Sequence, residues 1–259
     1  MSAEPWVTED ELDAELLRRL AERSALAAQA LEDAGPQHLV GAFETATLRR
    51  LLRAPHPTLR PAALVRIWRE ILAEARAARA PMALSVYGGR DAGRTVDFAR
   101  LRFGAPPPLS LVATPEAALA GARPAPPGRG SGADVVAVLA LDADKPWWGR
   151  LLAEPALKVF DALPCLAALG DTVALAVAAV EPEPTGADQT FWVTDAPGGA
   201  AAILAALARD GVAGELVAEA GGLKLFALLG FYQASDPRLA RAPGRLAGVI
   251  GAAPTPLDV

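Results

Sequence analysis

The sequence predicts an α+β protein of more than one domain: an N-terminal bundle of three helices, an α/β region, and a small β-α-β-β module. Three observations predict it. Residues 8–81 carry apolar positions at spacings of three, four and seven, the period of helices that bury one face. Residues 82–180 alternate short strand-like runs with helical runs, the pattern of α/β units on a mostly parallel sheet. Beyond the linker-like Glu181–Asp188, residues 188–259 read strand, helix, strand, glycine pair, strand. A chain of 259 residues is long enough for one large or two ordinary domains with a proper core.

The first helix is expected over Glu11–Leu31. Thr8 is its N-cap, and Glu11, three residues on, completes a capping box. Leu12, Leu16, Leu20, Ala27 and Leu31 form one stripe, and Gly35-Pro36 ends the helix. Arg23 falls on the same stripe, seven residues after Leu16. A cation on an apolar face either snorkels to the rim or meets an anion there, because burying it alone is costly.

The second helix is expected over Phe43–Leu52, with Leu48, Leu51 and Leu52 inward and Glu44 one turn earlier on that face. The third runs from Pro61 to Arg79, with Leu64, Trp68, Ile71 and Ala75 on a stripe that Arg79 continues. Three successive helices thus each put one charge on the apolar face: Arg23, Glu44 and Arg79. Two cations and an anion inside a bundle describe a polar pocket for an anionic ligand. The same pattern also describes an internal ion-pair cluster with no ligand. Residues 53–61 hold three prolines and form a loop. His56 lies in that loop; it and His38 are isolated and make no metal site.

From residue 82 the period changes. Met82–Gly89 reads as a strand with a glycine turn, and Thr95–Gly104 as a helix capped by Gly104. Leu109–Ala113 reads as a strand, and Thr114–Ala122 as a helix with a threonine N-cap and proline next. Ala133–Asp142 reads as a buried strand after the flexible loop 123–132. The glycines at 88–89 and 128–132 lack phosphate-loop spacing. Trp147 and Trp148 are adjacent, so a regular element would point at least one of them outward; a packing cluster at the rim is the simpler reading. Further on, Thr190–Thr194 reads as a strand, Gly198–Asp210 as a helix, and Gly214–Ala220 and Leu223–Tyr232 as a hairpin about Gly221-Gly222.

Composition narrows the function. There is no run of about 18 apolar residues, and the N-terminal MSAEPWVTEDELD is acidic, unlike a signal peptide. A soluble cytoplasmic protein with no membrane partner is expected. A net charge of -5 argues against nucleic acid as a partner. The single cysteine, Cys165, rules out an intramolecular disulfide and argues against a cysteine metal site, and no cofactor is expected.

The runs LDAELLRRLAERSALA, FETATLRRLL and LVRIWREILAEARAARAP together resemble the three-helix chorismate mutases of the all-helical type, over residues 8–81. The resemblance puts Arg23 at that family's first-helix active-site arginine and Glu44 at the glutamate that holds a substrate hydroxyl. Other family positions differ. Phe43 stands where an arginine is expected, Trp6 near another arginine, Ala34 near a lysine, Ala75 at a serine, and Arg79 at a glutamine. Residues 82–180 are similar in layout to the prephenate dehydratase domain through FARLRFG and ADVVAVLALDAD, without that family's Thr-Arg-Phe triplet. Residues 188–259 resemble a small ACT-like regulatory module, in which the turn at Gly198 and Gly199 would be the amino-acid site.

The resemblance implies rearrangement of chorismate to prephenate in aromatic amino acid biosynthesis (the shikimate pathway), by an isomerase that holds a small dianion folded. Arg23, Glu44 and Arg79 would be both the catalytic and the substrate-binding set, with activity weakened by the missing cations. The alternatives are a non-catalytic binding or regulatory protein of aromatic metabolism and a purely structural interaction protein. Alanines at 14, 21, 25 and 28 widen the apolar face of the first helix and, with the resemblance, predict a homodimer paired through it.

Overall fold

The computed structural model describes residues 8–34, 42–55, 58–78, 80–124, 134–142 and 144–258. It is an α+β structure with one nine-stranded mixed sheet. The helices are α1 (Glu9–Ala34), α2 (Ala42–Arg53), α3 (Pro61–Ala77), α4 (Ala92–Phe103), α5 (Pro115–Ala122), α6 (Ala200–Arg209) and the single turn α7 (Pro237–Ala240). The strands are β1 (Met82–Tyr87), β2 (Leu109–Leu111), β3 (Asp134–Ala140), β4 (Lys158–Leu163), β5 (Ala174–Ala178), β6 (Asp188–Thr194), β7 (Gly214–Ala220), β8 (Leu223–Leu229) and β9 (Ala247–Pro254).

Local signals act as expected at several ends. Thr8 N–H donates to Glu11 Oε2 at 2.9 Å while Glu11 N–H donates to Thr8 Oγ1 at 3.2 Å, a reciprocal capping box. Thr114 accepts from Ala117 N–H at 3.2 Å to start α5. Gly104 closes α4 at φ +76°, a conformation that needs no Cβ. Gly221 and Gly222 turn β7 into β8, both with positive φ.

The strand order is β2-β1-β3-β5-β4-β9-β6-β8-β7. The expected mostly parallel sheet is found at one end only. β1 is parallel to β2 and β3, and β4 touches β9 in parallel at Val159 and Gly251; the other pairs are antiparallel. The reason is local. After β4 the chain turns back through residues 164–173, and β5 inserts between β3 and β4, antiparallel to both, a return that a short connection allows. Between β3 and β4 lies a short 3-10 turn at Trp147–Leu152. Strands from 82–180 and from 188–259 share this sheet, with β9 lying between β4 and β6.

Both faces of the sheet are covered. One carries Leu119, Trp148, Leu151, Phe191 and Leu225 beneath α5 and the 3-10 turn. The other carries Leu84, Phe103, Phe160 and Leu163 beneath α4, and Trp192, Ile203, Leu207 and Phe226 beneath α6. Of the two readings of the tryptophan pair, the packing cluster is the one found, in the core and not at a rim: Trp147 and Trp148 are both buried, their rings meeting edge to face, and Trp147 Nε1 donates to the Ala140 carbonyl at 2.9 Å. A 3-10 turn places successive side chains about 120° apart, so both tuck under the sheet.

Helix α3 packs between its neighbours α1, α2 and α4. Leu48 and Val65 join Cys165, Leu166 and Leu257 in a small core that ties α2 and α3 to the sheet. The leucine stripe of α1 behaves differently from the expected inward face. Leu12, Leu16 and Leu20 are 51%, 58% and 37% exposed, while Ala27 is buried. Among the described residues, too little lies against α1 to cover that stripe. The expected ends at Gly35-Pro36 and the two histidines lie outside the described residues.

Candidate functional site

Most of the buried charge among the described residues lies where α2, α3, α4 and β4 converge; Asp188 and Lys224 are buried elsewhere. On α3, Val65, Arg69, Leu72 and Arg76 follow spacings of four, three and four, so two arginines share the inward stripe with two aliphatic residues. Glu44 lies in the first turn of α2 and Arg102 in the last turn of α4, each at the helix end that favours its charge. Asp161 arrives through a β-bulge. The pairing of β4 with β5 shifts register between Val159 and Asp161, and the extra residue turns Asp161 to the α4 side, where Arg102 meets it.

The five side chains form one network. Glu44 Oε2 accepts from Arg69 Nη1 at 3.1 Å and from Arg102 Nη1 at 2.9 Å, and Glu44 Oε1 pairs with Arg76 Nη2. Arg102 Nε donates to Asp161 Oδ2, and Asp161 Oδ1 accepts from the Ala162 amide at 2.9 Å. None of the five is more than 7% exposed. Burial, and secondly the neighbouring Arg102 charge, pull Arg69 down to about 10 and Arg76 down to about 9, so both stay cationic at neutral pH. Arg102 also stacks over Phe103, 4.8 Å from the ring centre. Cys165 lies beside this network; burial pushes its thiol up, which makes it a poor nucleophile.

Glu44 is therefore buried among cations, as a pocket or an ion cluster requires. Its described partners are Arg69, Arg76 and Arg102, and Arg23 is not one of them. Arg23 is half-buried on α1; partial burial lowers its pKa first, and the like charge of Arg50 on α2 adds to that. Arg79 and Trp6 lie outside the described residues, as does the Ala34 side chain. Phe43 is exposed and Ala75 buried. Gly198 (φ +100°) and Gly199 form an open turn at the start of α6, with no side chain capping the helix.

Four residues of the network escaped the sequence reading. Arg69 and Arg76 were legible in principle: starting the α3 stripe at Val65 instead of Leu64 brings both onto it. Arg102 and Asp161 were not, since they come from distant segments and Asp161 depends on a bulge.

A second polar cavity of about 270 Å³ opens at the C-terminal ends of β1 and β3, lined by Gly88, Arg90, Arg94, Thr95 and Asp142 among others. Strand order reverses there, because β1 leads outward to β2 and the chain then returns to β3. Tyr87 hydroxyl donates to Asp142 Oδ2 at 3.1 Å on its rim. Among the described residues no three His, Cys, Asp or Glu side chains group as metal ligands, and no helix is long and apolar enough to cross a membrane. No protein-family model, curated protein or solved structure matches this chain.

Proposed function

We propose that the chain is a chorismate mutase-like protein of aromatic metabolism that binds a small dianion, with catalytic power reduced relative to its scaffold. The observation that carries this reading is the burial of Glu44 among arginines between α2 and α3, at the position where the resemblance expects a glutamate facing substrate. The order of the three helices supports it. So does the antiparallel order β9-β6-β8-β7 of the last four strands, which suits an ACT-like module.

The chemistry is a unimolecular rearrangement, and a protein accelerates it by holding the substrate folded and meeting charge at the breaking ether. Arg23 would grip a carboxylate with its planar fork. Arg79 would supply the second cation. Glu44 has three arginines on it, so it orients cations and is not free to take a substrate hydroxyl unless one of them turns away.

That saturation of Glu44 favours a second reading, a non-catalytic binding or regulatory protein on the same scaffold. In both readings the exposed leucines of α1 are covered by a second copy of the chain, and Gly198-Gly199 is the place for an amino-acid effector. Loss of chorismate absorbance with purified protein tests the first reading. Activity no greater than the buffer rate, together with a thermal shift by prephenate, would select the second. No activity and no shift would remove both.

A further inference from the structure

The cavity of about 270 Å³ at the C-terminal ends of β1 and β3 carries charge of both signs. Helices α4 and α5 leave on opposite faces of the sheet, so neither fills the crevice between the two strands. Two cations, Arg90 and Arg94, and two carboxylates, Asp91 and Asp142, line it. Three of the four are engaged. Arg90 pairs with Asp144 and lies 3.8 Å from Asp142. Asp91 Oδ1 accepts from the Arg94 amide at 3.0 Å. Asp142 accepts from the Asp144 amide and the Tyr87 hydroxyl, and the first of these holds its carboxyl below the usual range, so it is an anion at neutral pH.

The fourth is not. The Arg94 guanidinium lies over the Phe98 ring, 5.3 Å from its centre, and among the described residues no carboxylate pairs with it. The remaining walls include Ala140, Leu141 and Val173. The volume falls just below the roughly 300–1,000 Å³ that holds drug-sized ligands, so the occupant is a small metabolite. Its charge follows from the lining. A phosphate or a dianion would face Asp91 and Asp142, and a metal ion would face two arginines. A neutral molecule would leave Arg94 without a counter-charge. A zwitterion gives Arg94 an anion and Asp142, which has acceptor capacity to spare, a cation.

We propose that this cavity binds a free α-amino acid with a small aliphatic side chain, its carboxylate on Arg94, its ammonium on Asp142 and its side chain against Leu141 and Val173. The site lies at the other end of α4 from Arg102, eight residues and about 12 Å along the helix, and does not rest on the mutase reading.

The test is calorimetric titration of the full chain with L-alanine, L-valine and L-leucine, beside isovalerate and isobutylamine, which are L-valine without its amine and without its carboxylate. At least one amino acid should bind saturably and raise the unfolding midpoint by about 4 °C at ten times its dissociation constant. Isovalerate and isobutylamine should each bind about 30-fold more weakly than L-valine or not at all, since each leaves one charge of the site unpaired. Arg94→Gln, at an exposed position, and Asp142→Asn, which still accepts from Tyr87, should fold and weaken the amino acid by a similar factor. No binding by any of the three amino acids would overturn the proposal. So would isovalerate equal to L-valine, which describes a plain anion site, or full affinity in Arg94→Gln, which puts the amino acid elsewhere, as at Gly198-Gly199.

Discussion

Arg102 Nη1 donates to Glu44 Oε2 at 2.9 Å, joining the last turn of α4 to the first turn of α2 with both side chains buried. The same guanidinium holds Asp161 through Nε, so one arginine bridges a helix and a strand. Arg102→Met should strand both carboxylates. Breaking a buried pair from one side costs about 3–5 kcal/mol, which lowers the unfolding midpoint by on the order of 10 °C in a chain of this size. A midpoint within a degree or two of wild type would show that the network adds little to the fold.

Glu44→Gln tests the same network from the other side. It leaves three guanidinium groups facing Asp161 alone, so like-charge repulsion adds to the lost hydrogen bonds. The loss should be at least that of Arg102→Met. The double variant should lose less than the sum of the two, because the pair shares one contact. Strict additivity would mean that the two residues act separately.

Arg23→Ala should behave differently. Arg23 is half-buried and feels the like charge of Arg50, so its removal should leave the midpoint almost unchanged or raise it slightly. If Arg23 grips a dianion, the variant should lose the stabilisation that prephenate gives wild type, a deficit of about 2–5 kcal/mol in affinity. Undiminished prephenate stabilisation in Arg23→Ala would take the ligand away from α1.

The α1 stripe predicts assembly. Leu16 and Leu20 sit one turn apart and are exposed in a single chain, an apolar surface that soluble chains usually cover. Light scattering at micromolar concentration should give the mass of a dimer, and Leu16→Glu with Leu20→Glu should give that of a monomer. A wild-type monomer would leave α1 without a partner of its own kind.

Acid should weaken the chain in part through Asp236. It caps α7 and receives the Arg238 side chain and amide, which hold its carboxyl down to about 2. A carboxylate lowered on folding contributes stability above its unfolded value, near 4, and loses it as pH falls toward 2. Asp236→Asn should therefore differ most from wild type at neutral pH and converge with it at about pH 2. A gap that stays constant down to that pH would show that ionisation of Asp236 is not what matters.

How much of this was legible in the sequence differs from element to element. The capping box at Thr8, the Gly104 stop and the Gly221-Gly222 turn are local chemistry, and the sequence displays them directly. β4, β5 and β9 were not assigned, because KVFDAL, ALAVA and AGVIGAAP lack alternation; β5 is buried on both faces, and β9 is largely glycine and alanine. Glu44 was legible as a misplaced charge. Its partners are harder to read: the buried face of α3 holds the expected Leu64 and Ala75 but is wide enough to take in Arg69 and Arg76 as well, and Arg102 and Asp161 are brought in only by tertiary structure.

Strand β9 has a further consequence for how the molecule is made. It fills the gap between β4 and β6, and at Gly251 (φ +147°) a side chain would run into the Val159 backbone. The seam between the two halves of the sheet is therefore closed by the last strand in sequence. During synthesis, β4 has an open, hydrogen-bonding edge until residues 247–254 leave the ribosome, close to 90 residues after β4 itself. Over that interval the nascent chain depends on whatever shields such edges in the cell.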